Sequence, residues 1–476
     1  MRRQKYASEY NRLVRAADGH FVQEFSTSVA HTSDKTLTLC LFSPFDNQQL
    51  LLADQYGTVT AVRLAHADLN VATTSACSPH DNCVFDACWL SACRVVSVGG
   101  DRVSTLTDIN TGKFVRRFGA HKHTIRSVHA CTDDANLFCT GGRDGAITVC
   151  DIRSRACLDK GSTDADGLTL NKPVSVISAA HAHAGGTAAA ASRILKSSQQ
   201  QHRPNASPLR PNRNVSSPLP SSVVRTGRSA AARRFSPYGC PHATSPSQTT
   251  TATPPVTAVM FIDTHTLASA SSQAQTGIRI WDLRKSYTNA KFHPRPVHAF
   301  EFGGAPNSAK GFTSICMDRY RSRLFALCTD AVLYQYSLVT QRTSCVGRFA
   351  ATDHRVDSTF YCRAAASPDR DLVLVGDSHG QPVIYGQQMD GRCWRLGGHD
   401  RNEEASSVSW SQSGDMLSTC DDFVWRVWSV DSLQCDRAKR NDVVSDVHVL
   451  KDSARVNEGT LDAQKMWPKR SVTPKP

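Results

Sequence analysis

The fold of this chain is decided by a stretch that reads Cys139-Thr-Gly-Gly-Arg-Asp144-Gly-Ala-Ile-Thr-Val-Cys-Asp151. It contains an apolar run, a turn of small residues with an Asp, a second apolar run, and a closing position six residues after the turn Asp. The same order of features occurs in Val96-Ser-Val-Gly-Gly-Asp101-Arg-Val-Ser-Thr-Leu-Thr-Asp108 and in Thr419-Cys-Asp-Asp422-Phe-Val-Trp-Arg-Val-Trp428. Short apolar runs joined by Gly- and Asp-containing turns predict antiparallel β-strands.

This pattern recurs along the chain at seven landmark residues, which are Tyr56, Asp101, Asp144, Gln275, Asp330, His379 and Asp422. Successive landmarks lie 45, 43, 131, 55, 49 and 43 residues apart. A period of about 40 to 45 residues with Gly-His, Asp-Gly and Trp-Asp cues is typical of the four-stranded blades of a WD40 β-propeller. The sequence therefore predicts an all-β fold, a seven-bladed WD40 propeller.

The long interval after Asp144 exceeds one blade period by about 88 residues, and it predicts an insertion between blades 3 and 4. An outer strand from one terminus must also close the ring, because an open sheet edge promotes aggregation. The β-branched and aromatic stretch from Phe21 to Val29 is the expected closing strand. The predicted division is an N-terminal segment with this strand over 1–36, blades 1–3 over 37–156, the insertion over 157–254, blades 4–7 over 255–430, and a polar tail over 431–476.

The His and Asp residues of the repeats are expected to hold blades together. In the seventh unit, hydrogen bonds would link the turn carboxylate, an imidazole, a hydroxyl and an indole, which belong to Asp422, His399, Thr419 and Trp428. In the third unit the corresponding set is Asp144, His121 and Thr140, with Cys150 in the Trp position. The repeat explains their spacing, whereas a hydrolase would need only one such set.

The net charge of +13 is concentrated in one region. Between Gly167 and Ile262 there is no Asp or Glu, and ten Lys and Arg residues occur there. This Ala-, Ser-, Pro- and Arg-rich composition predicts a disordered basic loop. Such a loop would bind DNA weakly and without sequence preference, through counterion release, since it has few aromatic residues to stack on bases. An ordinary solvated linker is the alternative.

The insertion also contains five Ser-Pro or Thr-Pro pairs. Each phosphate added there would bring a charge of about −1.5 to −2 and would oppose the local basicity. The candidate phosphorylation sites are Ser207, Ser217, Ser236, Ser245 and Thr253.

Several classes of protein are not expected. The charged N-terminus has no apolar region of a secretory signal, and no apolar run approaches the ~18 residues of a membrane span.

The 17 cysteines include no Cys-x-x-Cys and indicate buried thiols in a reducing compartment. A metal site at Cys77, Cys83, Cys88, Cys93 and His80 is the alternative to a pair of strands there, and the strands are favoured because zinc ligands are spaced more closely. No metal or cofactor is therefore expected.

The sequence has no Gly-x-Ser-x-Gly, Walker or His-Glu-x-x-His motif, so no catalytic activity is expected.

Five segments resemble the denticleless protein family. They occur in the order of that family, and a generic WD40 repeat would not reproduce the Ser-Thr-Phe-Tyr or Trp-Asp-Leu-Arg-Lys-x-Tyr-Thr strings among them. The segments are Val84-Phe-Asp-Ala-Cys-Trp89, Phe138-Cys-Thr-Gly-Gly-Arg-Asp-Gly-Ala-Ile147, Ile280-Trp-Asp-Leu-Arg-Lys-Ser-Tyr-Thr288, Leu324-Phe-Ala-Leu-Cys-Thr-Asp330 and Ser358-Thr-Phe-Tyr361.

This resemblance implies a non-catalytic substrate receptor of a cullin-4 RING ubiquitin ligase. Such receptors bind damaged-DNA-binding protein 1 through the Arg of a Trp-Asp-x-Arg box on consecutive blades. The matching residues are Trp281, Asp282 and Arg284 in blade 4, and Asp151 and Arg153 in blade 3. The residues alone leave open whether each Arg binds a partner or only pairs with its neighbouring Asp.

The resemblance further implies nuclear location, which the short basic pairs Arg233-Arg234 and Lys469-Arg470 support only weakly. It implies substrates that are replication and cell-cycle proteins, displayed on chromatin-bound proliferating cell nuclear antigen. The alternative function is a nuclear WD40 scaffold for chromatin or RNA assemblies without a link to a ligase.

Overall fold

The structure is a computed structural model of the full chain. The residues that it describes are 27–33, 35–64, 71–157, 169–182, 253–287, 294–305, 309–340, 342–351, 354–356, 361–387, 393–396, 404–420, 423–429 and 447–449. These residues form β-strands and turns, with one short 3-10 turn at Ala274–Thr276. Within this part of the chain, no helix has the length and hydropathy that crossing a membrane requires.

Seven antiparallel sheets form the blades of a propeller, which confirms the predicted fold class. The first strand among the described residues is β1 (Thr27–Thr32), which belongs to the last blade. The strands of blade 1 are β2 (Leu37–Phe42), β3 (Gln49–Asp54), β4 (Val59–Leu64) and β5 (Val71–Cys77). Those of blade 2 are β6 (Val84–Trp89), β7 (Arg94–Gly99), β8 (Val103–Asp108) and β9 (Lys113–Gly119).

Blades 3 and 4 flank the insertion. The strands of blade 3 are β10 (Ile125–Ala130), β11 (Leu137–Gly142), β12 (Ile147–Asp151) and, after the two-residue β13 (Leu170–Asn171), β14 (Ser175–Ile177). Those of blade 4 are β15 (Val256–Asp263), β16 (Thr266–Ser271), β17 (Ile278–Asp282) and β18 (His298–Phe300).

The remaining blades follow the same order. The strands of blade 5 are β19 (Phe312–Met317), β20 (Arg323–Cys328), β21 (Leu333–Ser337) and β22 (Gly347–Phe349). Those of blade 6 are β23 (Ala364–Ala366), β24 (Leu372–Val375), β25 (Val383–Gly386) and β26 (Cys393–Leu396). Those of blade 7 are β27 (Ser407–Trp410), β28 (Met416–Cys420) and β29 (Val424–Ser429), to which β1 is added.

Seven hydrophobic clusters hold the blades together, and each cluster lies between two neighbouring blades. The cluster between blades 7 and 1, which includes Trp425 and Leu50, shows that the ring is closed. Because each inner strand is covered on both faces, its sequence is a nearly continuous apolar run, as in Leu50, Leu51 and Leu52 of β3. Burial of these side chains is the main stabilising contribution to the ring.

The ring is closed by an N-terminal strand, as predicted, but the strand lies further along the chain than expected. β1 pairs antiparallel with β29, with Thr27 opposite Ser429 and Thr32 opposite Val424. The expected range of Phe21 to Val29 overlaps this strand only at its end, and residues before Thr27 lie outside the described residues. The pairing gives β29 a partner along the edge that would otherwise be open.

The predicted start of the insertion at residue 157 is wrong. β14 pairs with β12 and forms the outer strand of blade 3, and β13 pairs with β9 of blade 2. The propeller therefore includes residues up to Ala182 and resumes at Thr253. Strands of two and three residues carry too little periodicity for recognition from sequence. Residues 183–252, on which the prediction of disorder falls, lie outside the described residues.

A second correction concerns the C-terminal segment. Val447–Val449 forms β30, which pairs antiparallel with β26 and adds a fifth strand to blade 6. The segment expected as a polar tail over 431–476 thus contributes backbone hydrogen bonds to the propeller.

The hydrogen-bond network predicted in blade 3 is present. Nδ1 of His121 lies 3.0 Å from a carboxylate oxygen of Asp144, and Nε2 lies 2.8 Å from the hydroxyl of Thr140. The carboxylate can only accept, so Nδ1 donates to it, and Nε2 makes the hydrogen bond with the Thr140 hydroxyl. These side chains join the β11–β12 turn to the loop that enters β10, which is a structural role.

In blade 7 the indole N–H of Trp428 donates to the hydroxyl of Thr419 at 3.2 Å. The other two predicted members, His399 and Asp422, lie outside the described residues.

The structure also reveals networks that were not predicted. In blade 2, His80 lies 2.8 Å from Asp101 and 2.8 Å from the hydroxyl of Ser97. In blades 1 and 6 the turn carboxylate lies two residues before the landmark residue, which is Tyr56 or His379. The carboxylates of Asp54 and Asp377 accept hydrogen bonds from the backbone N–H groups of these turns.

Candidate functional site

The two faces of the propeller are distinguished by strand direction. The first strand of each blade lines a central channel, and the first and third strands run in the same direction because each pairs antiparallel with the second. Arg153 and Arg284 directly follow the third strands β12 and β17. They therefore lie on the face where the first strands end, which we call the lower face. The opposite face, where β6 and β10 begin near Phe85 and Arg126, is the upper face.

Arg153 is held by two carboxylates at the lower face. Its Nε lies 2.9 Å from Oδ1 of Asp151, and its Nη2 lies 2.8 Å from Oδ2 of Asp151 and 3.0 Å from Oδ2 of Asp134. Asp134 is in the loop after β10, so the arginine ties two loops of blade 3 together. The side chain remains 58% exposed.

Arg284 has the same arrangement on blade 4. Its Nε and Nη2 each lie 2.9 Å from a separate oxygen of Asp282, and its side chain is 70% exposed. Within the described residues, Nη1 of Arg284 and Nη1 of Arg153 have no hydrogen-bond acceptor. Each Asp thus fixes one edge of a planar guanidinium, and the other edge can donate to a partner.

A third arginine on the lower face links blade 5 to blade 3. Arg321, in the loop after β19 of blade 5, forms a bidentate ion pair with Asp133 at 2.6 Å and also donates to the hydroxyl of Thr132 at 2.8 Å. Asp133 adjoins Asp134, the second partner of Arg153. We call the charged side chains of this face on blades 3 to 5 the lower-face band, and its members are Asp133, Asp134, Asp151, Arg153, Asp282, Arg284 and Arg321.

The carboxylates of this band stay ionised near neutral pH. Hydrogen bonds from Arg284 lower the pKa of Asp282, and those from Arg153 lower the pKa of Asp151. Hydrogen bonds from Arg321 likewise lower the pKa of Asp133. Because these pairs are exposed to solvent, they contribute little to stability, and their main effect is to orient the guanidinium groups.

Trp281 does not lie on this surface, so the prediction that its side chain contacts an adaptor is wrong. The side chain is fully buried, and its indole N–H donates to the hydroxyl of Ser269 at 2.9 Å. Its ring packs edge-to-face against Tyr287 with centroids 5.4 Å apart, and the Tyr287 hydroxyl contacts the backbone of Asp282. Trp281 therefore positions Asp282 and Arg284 from inside the blade.

Of the five candidate phosphorylation sites, the described residues include only Thr253. Its half-buried hydroxyl donates to the backbone carbonyl of Asp144 at 3.1 Å, and it helps to seat the chain where it re-enters the propeller. Phosphorylation there requires this hydrogen bond to break. The other candidates, Ser207, Ser217, Ser236 and Ser245, lie outside the described residues.

The cysteine-rich segment of blade 2 has a different arrangement from a metal site. His80 is used in hydrogen bonds to Asp101 and Ser97, and Cys88 is buried among apolar side chains. Within the part of the chain that the structure describes, no group of three His, Cys, Asp or Glu side chains is placed to hold a metal ion.

A second cluster, which sequence reasoning missed, lies at the upper mouth of the channel. We call it the mouth cluster, and it consists of Phe85, Asp86, Arg126, Tyr361 and Arg363. Nη1 of Arg363 lies 2.6 Å from Oδ1 of Asp86. Asp86 belongs to blade 2 and Arg363 to blade 6, which are not neighbours, so the ion pair crosses the channel. The channel encloses a cavity of 620 Å³.

Comparison with known proteins confirms the resemblance expected from the sequence. The chain is 28% identical over 407 residues to a protein named Denticleless protein homolog B from Xenopus laevis, a match that covers 84% of this chain and 49% of the relative. It is 28% identical to the human Denticleless protein homolog, over 82% of this chain and 46% of the relative. It is 26% identical to Protein lethal(2)denticleless from Drosophila melanogaster, over 80% and 42% of the two chains.

The chain spans about half the length of the curated relatives it matches. No family model matches it.

Proposed function

We propose that this chain is the substrate-recognition subunit of a cullin-4 RING ubiquitin ligase. Similarity to Denticleless homologues and a WD40-type propeller fit a substrate receptor. The observation that carries the proposal is the pair of exposed guanidinium groups on consecutive blades, each held by its own Asp on the lower face. Arg153 and Arg284 are the residues that bind the adaptor, damaged-DNA-binding protein 1, which links the receptor to cullin-4.

Each Arg can pair with its neighbouring Asp and bind a partner at the same time. The pairs with Asp151 and Asp282 fix the orientation of the guanidinium groups, so less conformational entropy is lost when a partner binds. The free Nη1 edges then donate to acceptors on the adaptor.

The receptor makes and breaks no covalent bonds in this proposal. It holds a replication or cell-cycle protein, displayed on chromatin-bound proliferating cell nuclear antigen, while the RING partner brings the activated ubiquitin. The rate of transfer then rises through proximity. The site of action is the nucleus, and the basic run within residues 183–252 adds weak contact with DNA that depends on salt.

The test is affinity purification of the full chain from cells, followed by detection of the adaptor. The wild type is compared with the double variant Arg153→Ala plus Arg284→Ala. A matched control is Arg63→Ala, because Arg63 lies at the end of the third strand of blade 1, pairs with Asp46 at 3.0 Å and is 52% exposed. We expect the wild type and the control to recover the adaptor and the double variant to lose most of it. Recovery by none of the proteins, or equal recovery by all three, contradicts the docking assignment and favours a scaffold without a ligase.

A separate test addresses the basic run. Binding to duplex DNA is titrated against salt for the full chain and for a variant that lacks residues 192–240. Identical salt dependence of the two proteins excludes DNA contact by this segment.

A further inference from the structure

The guanidinium of Arg126 lies at the upper mouth of the channel without an acceptor. Its central carbon lies 4.7 Å from the ring centroid of Phe85 and 5.2 Å from that of Tyr361. Within the described residues no hydrogen bond or ion pair involves this guanidinium, and its Nη1 is buried without a partner. Contacts with aromatic faces offset only part of the cost of removing an arginine from water. This guanidinium therefore has a buried donor for which the described residues supply no acceptor.

The nearby carboxylate of Asp86 is engaged by other donors and makes no hydrogen bond to Arg126. Oδ1 of Asp86 accepts from Arg363 at 2.6 Å and from the backbone N–H of Ala87 at 2.8 Å, and Oδ2 accepts from the backbone N–H of Val128 at 2.8 Å. Arg363 neutralises its charge. The mouth cluster thus has one uncompensated positive charge, on Arg126.

The other ionisable groups along the channel do not change this balance. Burial lowers the pKa of His129 to about 4, so this imidazole is neutral at physiological pH. Asp318, Arg319 and Arg321 line the opposite end of the cavity, in the loop after β19. Arg126 is therefore a positively charged group at the upper mouth, in a partly dehydrated site where charge interactions are stronger than in water.

The shape of the site fits a side chain that enters from the upper face. Phe85 and Tyr361 stack with their centroids 6.0 Å apart and an angle of 18° between their planes, and they form an apolar wall beside Arg126. The cavity behind them, at 620 Å³, is large enough for one extended side chain with its flanking backbone.

Residues from two of the segments that resemble the denticleless family lie together at this place. Phe85 and Asp86 belong to Val84-Phe-Asp-Ala-Cys-Trp89, and Tyr361 ends Ser358-Thr-Phe-Tyr361. They come from blades 2 and 6 and are far apart in sequence. Phe85 and Tyr361 stack on each other and on Arg126, and the propeller fold does not require aromatic residues at these two positions.

We propose that the mouth cluster is a docking site for an acidic segment of a partner polypeptide, with Arg126 as the residue that pairs with its anionic group. The partner is the substrate in the function proposed above, and this inference deepens that proposal. A carboxylate or a phosphoryl group accepts two N–H groups of one guanidinium, while the apolar part of its side chain packs on Phe85 and Tyr361. A basic segment is not expected to bind here, because Arg363 already neutralises the charge of Asp86 and Arg126 would repel a further cation.

The test uses arrays of peptides with randomised flanks and a fixed central residue, which is Glu, phosphoserine, Gln or Lys. The full chain is applied as wild type, as Arg126→Gln and as Arg126→Lys. The matched control is Arg348→Gln, since Arg348 also contacts an aromatic ring, with 5.8 Å between its guanidinium carbon and the Tyr334 centroid. Thermal unfolding of each protein establishes that it is folded, and Arg126→Lys retains the charge if Arg126→Gln is unstable.

We expect the wild type and the control to bind peptides with Glu or phosphoserine at least roughly tenfold more tightly than those with Gln. Arg126→Gln should lose this preference, and Arg126→Lys should reduce it because an ammonium cannot form the bidentate pair. The Glu and phosphoserine arms separate the two sources of the anionic group. Equal binding to Glu, phosphoserine and Gln peptides, a preference for Lys, or an unchanged preference in both Arg126 variants overturns the proposal.

Adaptor recovery by the Arg126 variants separates this proposal from the docking function. The lower face is unaltered in these variants, so they should recover the adaptor as the wild type does. Failure of the peptide test with normal adaptor recovery rejects only the mouth site.

Discussion

The imidazole Nε2 of His181 lies 2.9 Å from the hydroxyl of Ser269, although 88 residues of chain separate the two. Ser269 also accepts the indole N–H of Trp281 at 2.9 Å, and Nδ1 of His181 lies 2.9 Å from the hydroxyl of Thr276. His181, Ser269 and Trp281 are fully buried. Buried hydrogen bonds of blade 4 therefore join a histidine that precedes the insertion to residues that follow it.

This arrangement predicts where the chain tolerates deletion. Replacing residues 183–252 with a short Gly/Ser linker should change the free energy of unfolding by about 1 kcal/mol, because loop closure depends only weakly on length. Deleting 157–252 should destabilise the protein by several times that amount, since β14 and His181 are removed. Urea unfolding of the two variants beside the wild type measures the difference. Equal stability of the two variants would show that residues 169–182 do not support the propeller.

Burial, with a smaller effect of Arg279, lowers the pKa of His181 to about 3, against an ordinary value near 6.5. Between these values the unfolded chain binds a proton that the folded chain does not, so stability falls as the pH drops below about 6.5. For this one group the loss between pH 7 and pH 5 is about 2 kcal/mol.

The variant His181→Gln tests this dependence. At pH 7 it should be less stable than the wild type by about 1 to 3 kcal/mol, because buried hydrogen bonds are lost. On acidification to pH 5 it should lose about 2 kcal/mol less than the wild type. Denaturant titrations of the two proteins at the two pH values measure both differences. Other titrating groups contribute equally to the wild type and the variant, so their effect cancels in the comparison. Parallel acid losses in the two proteins would mean that His181 is not held neutral.

The ion pair across the channel should contribute to stability in a way that surface pairs do not. Replacing Arg363 with Met leaves Asp86 buried and without its counter-charge, which costs about 3 kcal/mol. The double variant Asp86→Asn plus Arg363→Met should recover part of this loss, with a coupling energy above about 1 kcal/mol. For comparison, Arg63→Met breaks an exposed pair with Asp46 and should cost less than about 1 kcal/mol. Additive effects of Asp86→Asn and Arg363→Met would refute a direct interaction.

Removal of the closing strand should weaken the ring. A chain that begins at residue 33 lacks β1, and the edge of β29 then has unpaired backbone groups. We expect a lower midpoint of thermal unfolding and concentration-dependent aggregation. A chain that begins at residue 26 keeps β1 and serves as the control. Light scattering and calorimetry distinguish the two, and identical behaviour would argue against closure by this strand.

The two candidate surfaces differed in how much of each could be predicted from the sequence. The arginines of the lower face could be predicted because Arg153 and Arg284 each lie two residues after an Asp at equivalent positions of the repeats. What the repeat did not show is that Trp281 is buried, that Asp134 is a second partner of Arg153, or that Arg321 of blade 5 joins the band. The mouth cluster was missed because its members come from blades 2, 3 and 6, and no spacing in the sequence connects them.

The order of apolar runs and turns along the chain was enough to predict the class of the fold, the number of blades and an insertion after blade 3, because these features repeat with a fixed period. The sequence also placed Asp151 before Arg153 and Asp282 before Arg284, but it left open whether each Arg pairs with its Asp. Folding of the whole ring fixed the boundaries at Ala182 and Thr253, the hydrogen bond between His181 and Ser269, and the contact of Phe85 with Tyr361. These relationships depend on closure of the ring, which brings together residues that are neighbours in space and distant along the chain.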